Sequence, residues 1–81
     1  MAITFSILQD RLIAYANRQV REHKITTSEL ARRARVSRPH VHNVLHGVRQ
    51  MSPDFADALM EGLGITVMDL LTRADRDKIE T

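Results

Sequence analysis

Apolar residues recur at intervals of three and four along most of the chain, the spacing of helices that bury one face. The longest such stretch is expected to begin at Ser6, with Gln9 as its capping-box partner, and to run to about His23. Its apolar residues share one face: Phe5, Leu8, Leu12, Ala16 and Val20. No segment alternates between apolar and polar residues as a half-buried strand does, so the pattern predicts an all-α protein.

A second, shorter helix is predicted to start after Thr26, whose hydroxyl can cap it and whose capping-box partner is Glu29. Three apolar residues give this helix its inward face: Leu30, Ala31 and Ala34. A tight turn over residues 35–37 then leads to another helix.

The third predicted helix has clear signals at both ends. Ser37 is a favourable N-cap, and Pro39 falls in the first turn, where a missing N–H is harmless. Gly47 is expected to end the helix as a left-handed cap. Its inward stripe is Val41, Val44 and Leu45. The polar side chains left outside are Arg38, His42 and Asn43, with His46 near the C-terminal end.

Two more helices are predicted after a loop over residues 48–51. Their start signals are Ser52 with Pro53, and Thr66 with Asp69. Their apolar residues are Phe55, Leu59, Leu63, Met68, Leu70 and Leu71. Gly62 and Gly64 are expected to loosen and end the first of the two. Residues 1–72 thus form one domain, and residues 73–81 are a charged tail or an extension of the last helix.

Several of these residues also carry a resemblance to a known family. Ala31 in the second helix, Val36 and Ser37 in the turn, and Gly47 as the stop resemble the helix-turn-helix of the Cro and phage-repressor family. The resemblance covers roughly residues 7–72 and implies a compact, five-helix lambda-repressor-like DNA-binding domain. Its helix-turn-helix would be formed by helices 2 and 3.

Two positions depart from the family pattern. Arg35 stands in the turn where the family usually has glycine, and a positive φ there would be strained by about 1 kcal/mol. Leu45 stands where the family often has a glutamate paired with an arginine of the first helix, and ungapped counting places Val20 opposite. An apolar pair in place of a buried ion pair is often neutral or stabilising.

The charges are distributed unevenly. Residues 30–50 contain five arginines and three histidines but no acid, whereas acids gather after Pro53. One basic face and one acidic end indicate a DNA-facing surface on one side. The acidic C-terminal end could contact a partner protein.

The family pattern, matched position by position, implies two sets of DNA contacts. The residues expected to read base edges in the major groove are Arg38, Asn43, His42 and Pro39. The residues expected to contact phosphates are Thr27, Ser37, Arg35, His40, His46 and Arg49.

Other kinds of site are disfavoured. The chain has no cysteine, so a disulfide framework and a thiolate metal site are excluded, and a cytoplasmic location is expected. His42 and His46 could share a helix face, but zinc needs further ligands and no acid lies nearby in sequence, so no metal or cofactor is expected. No catalytic motif, membrane-spanning run or secretory signal is present, which argues against an enzyme and a membrane protein.

The function that the resemblance implies is sequence-specific binding of double-stranded DNA by a repressor, acting as a homodimer on a near-palindromic operator. One alternative is an antitoxin that also regulates its own operon and contacts a toxin through the acidic end. Another is a protein-interaction domain that no longer binds DNA. Residues 41–47 also resemble the recognition helix of the lac-repressor family, but that family begins at its motif, whereas here a long helix precedes it.

Overall fold

The computed structural model describes residues 3–72, which form five helices and, within that range, no strand. The helices are α1 (Phe5–Arg21), α2 (Thr27–Ala34), α3 (Arg38–Leu45), α4 (Pro53–Leu63) and α5 (Val67–Leu70). The prediction of an all-α, five-helix protein is therefore confirmed. The predicted tail at residues 73–81 lies outside the described residues.

Hydroxyl side chains cap the first four helices, and three of these caps are the predicted ones. Thr26 accepts the N–H of Glu29 at 3.0 Å, and Ser37 and Ser52 cap α3 and α4 in the same way. The predicted cap at Ser6 is wrong, because the Thr4 hydroxyl accepts the N–H of Ile7 at 3.2 Å and α1 begins at Phe5. Two hydroxyl residues this close together offer the same local signal, so only packing decides between them.

Left-handed residues follow four of the helices. These residues have positive φ angles: His23 (60°), Arg35 (59°), Gly47 (74°) and Gly64 (71°). After each helix, the left-handed residue and its successor donate N–H groups to carbonyls of the last turn. The left-handed turn at Gly47 matches the sequence prediction, and Arg35 adopts the positive φ that the sequence analysis considered for it. Helix α1 ends earlier than predicted, at Arg21, because this turn begins at His23.

The core is mostly aliphatic and lies where α1, α2, α3 and α4 meet, with Phe55 as its aromatic member and Leu70 contributed by α5. Its fully buried side chains are Leu12, Leu30, Val41, Val44 and Leu59. The predicted apolar face of α1 is buried only in its middle, since Phe5 is 56% exposed and Val20 is half-buried. No helix within residues 3–72 is long and apolar enough to cross a bilayer.

Gly62 has a different role from the one predicted. It lies inside α4, is buried, and faces the end of α2, so it allows two helices to pack closely instead of loosening one. Gly64 ends α4 as predicted, with its N–H donating to the carbonyl of Glu61 at 3.1 Å. The close contact between α2 and α4 supports the helix that leads into the turn before α3.

Candidate nucleic-acid interface

Helix α3 has one buried and one exposed side. Val41, Val44 and Leu45 are 0%, 1% and 6% exposed, as the sequence predicts. On the other side the predicted base readers Arg38, Pro39 and His42 are exposed, and Asn43 is half-buried. The inward residues thus fix which side chains α3 presents to a ligand.

Five arginines lie between residues 30 and 50, but two of them form ion pairs with Glu29 on α2. Arg32 Nε donates to Glu29 Oε2 at 3.0 Å, and Arg33 Nε donates to Glu29 Oε1 at 3.0 Å. The hydrogen bond from Arg32, followed by that from Arg33, holds the pKa of Glu29 below its ordinary value. The same contact with Glu29 raises the pKa of Arg32. Glu29 therefore neutralises part of the charge that composition alone assigns to this surface.

Of the other three arginines between residues 30 and 50, Arg35 precedes α3, Arg38 is its first residue and Arg49 follows it. Arg35, Arg38 and Arg49 are exposed and take part in no ion pair within residues 3–72. Their guanidinium groups are available to acceptors such as phosphate oxygens and guanine edges.

The histidines in α3 and directly after it have neighbours that the sequence did not specify. The ring of His40 packs on Phe55 of α4, with centroids 4.3 Å apart and 32° between planes. His40 was expected to contact a phosphate, and its packing on α4 is a contact that this expectation did not include. The rings of His42 and His46 stack with centroids 4.1 Å apart, and His46 Nδ1 donates to the His42 carbonyl at 2.8 Å.

Ser37 is the N-cap of α3, and its hydroxyl oxygen accepts the N–H of His40 at 3.2 Å, which leaves the hydroxyl proton free to donate. Thr27, the first residue of α2, is half-buried. Within residues 3–72, no three potential ligands come together as a metal site.

This arrangement of two short helices, a tight turn and a polar exposed face can be compared with known proteins. A family model described as "Cro/C1-type HTH DNA-binding domain" matches residues 17–75, more than half of the chain. The chain belongs to this family. No curated protein and no solved structure gave a match. The recognition made from the sequence is confirmed, and this Cro/C1-type chain is a helix-turn-helix DNA-binding regulator.

The segment between α3 and α4 differs in part from what the sequence predicted for this Cro/C1-type domain. Residues 48–50 are exposed, but Met51 is only 7% exposed and belongs to the core. The N–H groups of Val48 and Arg49 both donate to the Asn43 carbonyl, at 2.8 and 3.2 Å. Arg49 is therefore tied through its backbone to the helix that carries the predicted base readers.

Two residues of α1 that contact this region were missed by the sequence analysis. Asn17 Nδ2 donates to the Leu45 carbonyl at 3.1 Å, and Gln9 Nε2 donates to the Met51 carbonyl at 3.1 Å. The partners are 28 and 42 residues apart, so no local pattern could reveal them. Asn17 bonds the backbone of Leu45, and the pairing of the Leu45 side chain with Val20 stays a prediction.

Proposed function

We propose that the chain is a sequence-specific transcriptional repressor that binds double-stranded DNA as a homodimer on a near-palindromic operator. The observation that carries the proposal is the exposed side of α3, flanked by Arg35 and Arg49 and headed by Arg38, all without ion pairs in the described part of the chain. A helix of this kind fits the major groove, where side chains near its N-terminus meet base edges.

Within this proposal, Arg38 and Asn43 do most of the base reading. A guanidinium can donate to both acceptors of guanine, and a side-chain amide can match the donor and acceptor of adenine. His42 supplies a further polar contact and Pro39 an apolar one, for instance to a thymine methyl group. The residues assigned to phosphates are Thr27, Ser37, Arg35, His46 and Arg49. His40 is also assigned to a phosphate, which it would contact while its ring packs on Phe55.

An exposed apolar surface supports the homodimer. Phe5, Val67 and Met68 are 56%, 45% and 53% exposed. Phe5 and Val67 border a small hollow between α1, α4 and α5. Its other lining residues in the described part of the chain are Leu8, Gln9, Leu12, Ala56, Met60 and Leu70. Since α2 and α3 do not contribute to that lining, contact through it leaves the DNA-facing residues accessible. Two α3 helices about 34 Å apart would then enter successive major grooves.

Selection of bound sequences from a random DNA pool, with affinity read at two salt concentrations, tests the proposal. Enrichment of a two-fold symmetric site with half-sites one helical turn apart is the expected result. Weak binding that depends steeply on salt, without enrichment, would show that only phosphate attraction is present and would overturn the proposal.

The dimer is tested by sedimentation of the wild type and of Phe5→Glu, with Ser6→Glu as a matched control on an exposed neighbour. Phe5→Glu should reduce association, because it places a charge in an apolar contact, whereas Ser6→Glu should leave association unchanged. A wild-type chain that stays monomeric on its operator but co-purifies with a second small protein would favour the antitoxin alternative.

A further inference from the structure

The last carbonyl of α3 has an unusual partner. The turn after α3 supplies backbone N–H groups to the carbonyls of residues 42–44. This leaves the carbonyl of Leu45, the final residue of the helix, without a donor from the turn. The side-chain amide of Asn17 in α1 fills that place, with Nδ2 3.1 Å from the Leu45 oxygen. Asn17 therefore completes the end of α3 from another helix.

A second amide of α1 holds the other end of the same segment. Gln9 Nε2 lies 3.1 Å from the carbonyl oxygen of Met51, the residue before the N-cap of α4. Gln9 and Asn17 are eight residues apart, about 12 Å along α1. The segment 46–51 is thus anchored to one rigid helix at both of its ends.

Between the two anchors the segment spans a hollow. The hollow has a volume of about 380 Å³, and Gln9 and Ile13 line it on the side of α1. Residues 46–50 are all exposed, and of their side chains the ring of His46 packs on His42. Burial of Met51, backbone hydrogen bonds to the carbonyls of residues 42–44 and the two α1 amides together hold the segment in place.

We propose that Gln9 and Asn17 are positioning residues for DNA binding. By holding the ends of segment 46–51, they set where Arg49 stands relative to Arg38 and Asn43 on α3. A phosphate contact is strongest when the cation is held in place before binding, because less side-chain and loop ordering remains to be done. The inference rests on the proposed function, in which Arg49 contacts a phosphate.

The experiment is a double-mutant cycle on the affinity for the selected operator. Gln9→Met keeps the volume of the side chain and removes the donor, and it is combined with Arg49→Ala and, separately, with Arg38→Ala. We expect Gln9→Met alone to weaken binding about threefold or more, and to have little further effect once Arg49 is alanine. Combined with Arg38→Ala, its effect should be additive. Gln19→Met on the same helix is the matched control and should bind like the wild type, since its amide makes no described bond to the segment.

Asn17→Leu tests the other anchor by the same cycle, with binding measured at a temperature at which circular dichroism shows each variant folded. If Asn17→Leu does not fold, the Gln9 cycle alone decides. Should Arg49→Ala leave affinity unchanged, the phosphate contact of the proposed function is wrong. Suppose instead that Arg49→Ala weakens binding. The positioning role is then overturned, and the phosphate contact stands, if Gln9→Met has no effect on affinity or has the same effect whether or not Arg49 is present.

Discussion

A Cβ atom placed on Gly62 would lie 3.2 Å from the backbone nitrogen of Ala34 and 3.3 Å from the Cβ of Arg33. Both neighbours are part of, or directly attached to, the α2 backbone, which cannot move as the end of a long side chain can. Since α2 leads directly into the turn before α3, this close approach also fixes where α3 begins.

Gly62→Ala should lower the free energy of unfolding. Alanine gains about 1 kcal/mol in helix propensity, but crowding in a packed core typically costs about 1–3 kcal/mol, so the net loss should be about 1 kcal/mol. Urea unfolding measures it, and Glu61→Ala on the exposed neighbour should change stability much less. A raised urea midpoint for Gly62→Ala would show that α2 moves aside without penalty.

His23 and Arg35 form a matched pair, because both follow a helix with φ close to 60°. Replacing either with glycine relieves left-handed strain and should raise the free energy of unfolding by about 0.5–1 kcal/mol, after allowance for the greater chain entropy of glycine. Only Arg35→Gly should also weaken DNA binding, because it removes an exposed cation beside α3. Equal affinities of the two glycine variants, measured by fluorescence anisotropy, would remove Arg35 from the DNA contacts.

Most of the fold could be predicted because its signals are local. Caps such as Ser37 and Ser52, the left-handed Gly47 and the spacing of Val41 and Val44 each depend on residues within one or two turns. The errors arose where distant packing decided the outcome. Whether Thr4 or Ser6 starts α1 cannot be settled locally, and the burial of Gly62 depends on α2 approaching from 28 positions earlier.

Arg38 and Arg49 should differ in how they affect specificity. Arg38→Ala should cost about 1–3 kcal/mol on the operator and relax preference at one base pair, while Arg49→Ala should weaken all sequences alike. Competition binding with operator, single-base variants and random DNA separates the two effects. Arg32→Ala is the control, because Glu29 already engages that guanidinium, and it should change affinity least. Equal losses on operator and random DNA for Arg38→Ala would make Arg38 a phosphate contact.

Glu29 should make stability depend on pH in a defined direction. Hydrogen bonds from Arg32 and Arg33 lower the pKa of Glu29 in the folded protein. The ionised Glu29 carboxylate therefore contributes fully to the free energy of unfolding above the unfolded-state pKa of about 4.3. This contribution is lost as the pH falls through the lower folded-state pKa.

Urea unfolding at pH 7 and at pH 3 tests this. Glu29→Gln should be less stable than the wild type at pH 7, and the difference should shrink at pH 3. Glu61→Gln, on an exposed position of α4, should show no such change. A difference for Glu29→Gln that is the same at both pH values would mean that the charge of Glu29 is not what stabilises α2.

The candidate site was less predictable than the fold. The sequence shows five arginines in and near α3, but it does not show that Glu29 binds two of them. Oppositely charged side chains three or four residues apart on a helix form an ion pair only when their rotamers bring them together. It shows three histidines in the same region, but not that His40 packs on Phe55. Gln9 was interpreted as a local capping partner, while its amide bonds a residue 42 positions away.

If α3 is the reading helix, as proposed above, its length limits how much DNA sequence one copy of the protein can read. Eight residues make a helix of about 12 Å, which spans about four base pairs at 3.4 Å each. A given run of four base pairs recurs by chance about once in 250 positions, and a genome offers about 10⁶ or more positions to choose from. Two such runs at a fixed spacing recur about once in 65,000 positions. For a sequence-specific regulator, the homodimer proposed above would therefore lower the number of chance matches about 250-fold relative to one copy, whatever the strength of each contact.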